Sequence, residues 1–353
     1  MSPKVRGVGV NTFRDEDDAR FDRPKRRTRP RTKDRPDYSH LPLGRVVTVD
    51  RGRFTCSLVD EDGHVAEPAT TVTCTRARQL GRKAAIVGDI VRLDGDVSGE
   101  EGTLARIVEV LDRTTVLRRT ADDDDPYERP IVANADQLMI VTALADPPPR
   151  VGMIDRILVA AYEAGIRPIL CLTKADLASP DELRAAYEPL DVPVVVTSPD
   201  SDLGPVQELL DGHVTVFVGH SGVGKSTLVN ALIPGTDRAV GIVNDTTGRG
   251  RHTSTSAISL ELPDPLQGWV IDTPGVRSFG LSHVKPEAVL AAFGDLAQFT
   301  EDCPRACQHM STSPECGLDA AVARGDLPAV RLESFRRMEN AGREEWERAD
   351  RRG

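Results

Sequence analysis

Nine residues constrain this chain more than any others: Gly219-His220-Ser221-Gly222-Val223-Gly224-Lys225-Ser226-Thr227. They satisfy G-x-x-x-x-G-K-[ST] without a mismatch. The apolar, β-branched run Val214–Val218 precedes them and reads as a buried strand. Leu228–Ile233 follows, reads as the start of a helix and stops at Pro234-Gly235. A strand, a glycine loop and a helix form the setting in which backbone N–H groups turn inward around a phosphate, aided by the positive end of the helix dipole. Lys225 is placed to reach the β- and γ-phosphates, and the Ser226 hydroxyl to bind Mg²⁺. The plain alternative is a glycine-rich turn that happens to carry Lys-Ser.

Two further strings follow strand-like runs, at the strand ends where open α/β sheets bind ligands. Thr173-Lys174-Ala175-Asp176 comes after Ile169–Leu172. An Asp carboxylate there can accept from N1–H and the 2-amino group of guanine, donors that adenine lacks, so Asp176 favours GTP over ATP. The Lys174 stem can cover the base, and the backbone of Ser198, after the next strand, can support it. Asp272-Thr273-Pro274-Gly275 comes after Trp269–Ile271. Its Asp272 can hold Mg²⁺ through water, and the Gly275 N–H can touch the γ-phosphate. Either string alone can be an ordinary turn.

A third cluster, Cys303-x3-Cys307-x-His309-x6-Cys316, packs three thiols and an imidazole into 14 positions. Three thiolates and one imidazole make a closed tetrahedral site, suited to one structural Zn²⁺. The remaining cysteines, Cys56, Cys74 and Cys171, sit in apolar runs and read as core residues. The N-terminus is charged and no run of about 18 apolar residues occurs, so neither a secretory signal nor a membrane span is expected. A cytoplasmic location with reduced thiols follows, and with it a metal rather than disulfides.

The net charge is −10 over 353 residues but is unevenly spread. Residues 1–36 hold 12 Lys/Arg and 6 Asp/Glu, leaving −16 on the rest. A basic arm on an acidic body is a common way to contact nucleic acid, and a solvated tail accounts for it equally well.

Along the chain, residues 1–40 cannot bury an apolar face and read as a disordered basic arm. Residues 41–115 carry five short alternating runs, at 44–49, 54–59, 70–75, 86–93 and 103–110, separated by turn signals, which indicates a small OB-like β-barrel. Arg76, Arg78, Arg82 and Lys83 lie between its third and fourth runs and could grip a sugar–phosphate backbone. Asp122–Pro126 reads as a linker. Strands and helices then alternate over residues 126–282, giving an α/β domain with a largely parallel sheet. Residues 283–353 hold the Cys/His cluster and a charged helix over 327–348.

The order of the motifs is unusual. Most GTPases run phosphate loop, switch loops, then base-reading motif; here Thr173–Asp176 comes first, and the same sheet can be made if the chain is circularly permuted. This order, with a preceding barrel and a following Cys/His cluster, resembles the RsgA (YjeQ) family over about residues 43–320. The resemblance implies a circularly permuted P-loop GTPase domain and GTP hydrolysis to GDP in late maturation of the small ribosomal subunit. It further implies stimulation by that subunit, rRNA binding and a monomeric chain. Gly248–Thr255 looks like the family's first switch, so Thr253 would complete the Mg²⁺ shell. Val276 stands where many GTPases carry a water-orienting Gln, and the resemblance makes His252 the candidate instead. The catalytic set is then Lys225, His252 and Asp272. The family's cluster reads Cys-x4-Cys-x-His-x5-Cys; here one residue has moved from the first gap to the last. An RNA-binding scaffold with a structural nucleotide remains the alternative.

Overall fold

Where apolar residues recur at every second position, a strand buries one face and wets the other. Residues 71–76 show this most simply: Val72 and Cys74 are fully buried, while Thr71 and Thr73 are exposed. The computed structural model describes residues 37–80, 85–120, 128–235, 257–273, 289–290 and 293–350. It places five strands, β1 (Leu43–Asp50), β2 (Arg53–Val59), β3 (Thr71–Arg76), β4 (Ile90–Gly95) and β5 (Ala105–Val110), in the order β1-β2-β3-β5-β4. A pairing of β1 with β4 closes the barrel. All its pairs are antiparallel except β3 with β5. Val46, Phe54, Val72, Leu93 and Ile107 fill the interior, together with Cys56 and Cys74.

A hairpin of β6 (Val116–Thr120) and β7 (Glu128–Ala133) follows. The acidic tract at 122–126 lies outside the described residues, between these paired strands. The hairpin is fastened to the barrel: Val87 bridges Val132, and Arg113 grips the fully buried Asp89 through both carboxylate oxygens, at 2.6 and 2.8 Å.

Beyond the hairpin the strands lose their alternation of polarity. β8 (Gln137–Ala143) is buried at all seven positions, as expected of a parallel strand covered on both faces. It pairs in parallel with β9 (Arg167–Thr173) and β11 (His213–Val218). The sheet extends to β10 (Val194–Val196) on one side and to β13 (Gly268–Asp272) on the other, with antiparallel β12 (Ile258–Glu261) beyond. The period of two persists in which face each side chain meets. Leu138 and Ile140 pack with helix α1 (Val151–Glu163), whereas Met139 and Val141 pack with α3 (Gly204–Leu210) and α4 (Lys225–Leu232). Burying Ile154, Ile157 and Leu158 of α1 contributes roughly 1.5–3 kcal/mol each.

β12 also pairs with β1, at Thr48 and Ile258, so barrel and parallel sheet are hydrogen-bonded into one another. Helix α2 (Asp181–Tyr187) follows β9. The C-terminal part adds α5 (Gly294–Ala297), α6 (Gly317–Arg324) and the long α7 (Ala329–Asp350). Phe335 and Met338 of α7 join the same apolar cluster as α1. Where they meet, buried Asp155 accepts from the Tyr187 hydroxyl at 2.8 Å and from Arg337 Nε at 2.7 Å. Burial raises the Asp155 carboxyl above its usual pKa, against the pull of Arg337 and Tyr187. No described helix is long and apolar enough to cross a membrane.

Candidate nucleotide site and metal cluster

The loop after β11 lies at the C-terminal end of the parallel sheet, beside the ends of β8, β9 and β13. Two glycines explain its course. A Cβ on Gly219 would come within 2.4 Å of the Val141 carbonyl oxygen, so only glycine lets the loop leave β11 against β8. Gly224 has φ +89°, the left-handed turn from which α4 starts. α4 begins at Lys225, so the N–H groups of its first turn face the cradle of the loop. Ser221, Ser226 and Thr227 are exposed, His220 is half-buried and Val223 is packed beneath.

Lys225 is buried at 8% exposure, and its ammonium donates to the Asp272 carboxylate. A buried cation is thereby neutralised by the carboxylate at the end of the neighbouring strand. The buried Thr273 hydroxyl donates to the Phe217 carbonyl at 2.7 Å, holding the end of β13 against β11.

The string after β9 converges on the same place. The Thr173 hydroxyl is buried between the Val223 carbonyl at 2.5 Å and the Thr142 carbonyl at 3.3 Å, tying the base-reading loop to the phosphate loop. Lys174 has φ +58°, and its ammonium donates to the Asp146 carbonyl. The Ala175 N–H donates to the Thr197 carbonyl at 3.2 Å, and Asp176 is left exposed at the rim. The Ser198 N–H is taken by the Ser201 hydroxyl at 2.8 Å, so its backbone is held by its own turn. The contribution of Asp146 was not read from sequence; the only signal there is the Pro147-Pro148-Pro149 run after β8. His252, Thr253, Gly275 and Val276 lie outside the described residues, as do the arm at 1–36, Arg82 and Lys83.

The Cys/His cluster is assembled from a short loop and the start of α6. The ligand atoms of Cys303, Cys307, His309 and Cys316 all lie within 4.8 Å of one another. His309 Nδ1 stands 3.5 Å from Cys303 Sγ and 3.8 Å from Cys316 Sγ. A tetrahedron with metal–sulfur bonds of about 2.3 Å has edges of about 3.8 Å, so the separations of His309 from Cys303 and Cys316 are compatible with a zinc ion between them. Backbone N–H groups of His309 and Gly317 donate to the sulfurs of Cys307 and Cys303, at 3.4 and 3.1 Å. Burial, then Arg336, lowers the His309 pKa and favours the neutral imidazole that ligates metal. Burial pushes the Cys316 thiol up to about 11. Ala306, His309 and Glu315 take positive φ, so the loop that carries the cluster turns sharply at three non-glycine positions. From α7, Arg336 donates to the His309 carbonyl at 2.8 Å and makes a bidentate pair with Asp319 of α6, at 2.9 and 2.7 Å. That brace has no sequence signal beyond one arginine in a charged helix.

The RsgA GTPase family profile matches residues 110–282. A protein of Pseudomonas savastanoi pv. phaseolicola, named small ribosomal subunit biogenesis GTPase RsgA, is 42% identical over 248 residues, covering 68% of this chain and 70% of that one. The chain belongs to the RsgA GTPase family. A protein of the same name from Azotobacter vinelandii is 43% identical over 219 residues, 60% of this chain; the match spans 63% of that relative's length. Crystal structures agree in fold. YjeQ from Thermotoga maritima matches with a TM-score of 0.62 at 26% identity, over 85% of this chain and 98% of its own. YloQ, described as a circularly permuted GTPase, matches with a TM-score of 0.62 at 24% identity, over 88% of this chain and 98% of its own. The fold of this chain is thus a circularly permuted GTPase sheet with a barrel before it and a Cys/His cluster after it.

Proposed function

We propose that this chain binds GTP across the Gly219–Thr227 and Thr173–Asp176 loops and hydrolyses it to GDP and phosphate. We further propose that it acts as a cytoplasmic monomer in late maturation of the small ribosomal subunit. The observation that carries the reading is the Thr173 hydroxyl shared between β8 and the phosphate loop. It fixes the base-reading and phosphate-binding loops to one frame, so a nucleotide can be held at both ends. Asp176 reads guanine and Lys174 covers it, while Ala175 and Ser198, their N–H groups held by the Thr197 carbonyl and the Ser201 hydroxyl, border the base through the turns they fix. The N–H groups from Gly219 to Thr227 cradle the phosphates. Ser226, Asp272 and Thr253 supply hard oxygen donors for Mg²⁺, which when bound neutralises phosphate charge. Lys225, now paired with Asp272, has its ammonium beside the place where γ-phosphate charge develops. The Gly275 N–H senses the γ-phosphate, and His252 orients the attacking water in place of the missing Gln. One zinc per chain, held by Cys303, Cys307, His309 and Cys316, closes the C-terminal module.

Relatives named for small-subunit biogenesis support the choice of partner. The barrel supports rRNA as what is touched: Arg53, Thr75 and Arg106 stand side by side across β2, β3 and β5, and Arg53, Arg76, Arg78 and Arg106 are all exposed. The test is single-turnover GTP hydrolysis with and without purified small subunits. Turnover should be slow alone and strongly stimulated by subunits, and Lys225→Ala should lose nucleotide binding. His252→Ala should keep binding but lose about a hundredfold of the stimulated rate. Unstimulated turnover with tight subunit binding would favour a scaffold that keeps GTP for structure.

A further inference from the structure

An opening that the nucleotide reading does not use lies at the other end of the parallel strands from the phosphate loop. It is a cleft of about 620 Å³ between the barrel and the starts of β11 and β13. One wall is the turn after β2, with Asp60, Glu61 and Asp62; the other is the β12–β13 connection, with Glu261 and Asp264. All five carboxylates are exposed. Burial and the neighbouring Asp264 hold the Glu261 carboxyl above its ordinary pKa, a repulsion that a cation between the walls would relieve.

The floor carries an independent signal. Arg45 is 6% exposed, lines the cleft and lies 5.4 Å over the Trp269 ring. Its Nε and Nη1 have no hydrogen-bond partner among the described residues. Burial draws its pKa down to about 10, against support from Asp136. Both nitrogens are closed to solvent, so an acceptor reaches them only if the guanidinium turns from Trp269 into the cleft, and the unmet donors of a buried guanidinium favour that turn. Wall and floor together narrow the occupant. Nucleic acid offers acceptors but meets five carboxylates. A metal ion or polyamine suits the walls but brings no acceptor to Arg45. A polypeptide carries carbonyl oxygens on its backbone and cations on its side chains.

We propose that this cleft docks an extended lysine- and arginine-rich protein segment. Arg45 receives a backbone carbonyl, and the segment's cations lie between the Asp60–Asp62 turn and Glu261 with Asp264. The site shares no residue with the nucleotide loops, and its occupancy does not depend on the reading given to them.

The test uses the full chain carrying Trp346→Phe, which leaves Trp269 as the one tryptophan of two to report on the cleft. Probes are a Lys/Arg–Gly peptide of roughly twelve residues, a glutamate peptide of the same length and spermidine. The basic peptide should change Trp269 emission saturably and bind about tenfold tighter than spermidine, more weakly as salt rises, with no response to the acidic peptide. The pairs Glu61→Gln with Asp62→Asn and Glu261→Gln with Asp264→Asn should each weaken the peptide by about tenfold and leave basal GTP turnover unchanged. Arg45→Lys should keep the preference for peptide over spermidine, and Arg45→Met, checked as folded by circular dichroism, should lose it. The proposal is overturned if spermidine binds as tightly as the peptide, if the carboxylate pairs leave peptide affinity unmoved, or if folded Arg45→Met retains the full preference.

Discussion

The loops proposed to hold a nucleotide and the Cys/His cluster proposed to hold a zinc ion are built in opposite ways. The nucleotide loops are more than 40 residues apart in sequence and are brought together by neighbouring parallel strands. Their polar groups already have protein partners: Thr173 with Val223 and Thr142, Lys225 with Asp272, Thr273 with Phe217. The cluster is confined to 14 residues, and its three sulfurs and one imidazole face mainly each other. The first site is a property of the sheet and should outlast its ligand. The second sits in loop backbone with few other supports and should depend on its ion.

The sharpest break of this comparison is Cys307→Ser or chelation. Metal binding in a small site of this type is worth on the order of 10 kcal/mol, so its loss should open the 303–316 loop and loosen α6. Elemental analysis should find one zinc per wild-type chain and none in the variant, with GTP affinity little changed. A large fall in GTP affinity would show that the two sites are not independent. Next in size is Asp176→Asn, which should weaken GTP by about a thousandfold and admit xanthine nucleotides, because the base-reading donors lose their acceptor. Equilibrium binding of both nucleotides checks it; unchanged GTP affinity would remove Asp176 from the base site.

Asp155→Ala asks how far the C-terminal helix belongs to the GTPase core. It strips Tyr187 and Arg337 of a shared buried carboxylate and should lower stability by about 3 kcal/mol in denaturant titration, with zinc retained. A neutral result would mean that apolar packing of Phe335 and Met338 alone docks α7. The smallest expected effect is Thr173→Val. It keeps shape but removes the hydroxyl between the two loops, costing about 1 kcal/mol of stability and a several-fold loss of GTP affinity. If the affinity does not move, the loops are aligned by the strands and not by this bond.

Much of this was legible in the residues. The alternation of β3 follows from its burying one face and stands as read at 70–75, whereas β8 is buried at all seven positions and keeps only two polar residues, Gln137 and Thr142. The elements missed are those whose patterning is weak: β12 is four residues long, and the β6–β7 hairpin is charged along much of its length. Neither buries a regular face, so neither leaves a periodic signal. At the sites, residue types and spacing named Lys225, Asp272, Asp176 and the four metal ligands. They did not reveal Asp146, whose contribution is a backbone carbonyl, nor Arg336, whose partner lies 27 residues earlier in the chain.

The sequence by itself determined which groups are offered: a glycine loop with one lysine, a carboxylate at Asp176 after a strand, and three thiols with an imidazole at ligand spacing. These are local, because they depend on which functional groups a few adjacent residues carry. Only the tertiary structure decided which groups meet. Thr173 reaches Val223, Lys225 reaches Asp272, and Arg45 lies over Trp269 with its Nε and Nη1 unpartnered among the described residues, because strand order, not chain order, sets neighbours in a sheet. Side-chain composition fixes what a residue can do; the long-range pairing of backbone hydrogen bonds fixes what it does it to.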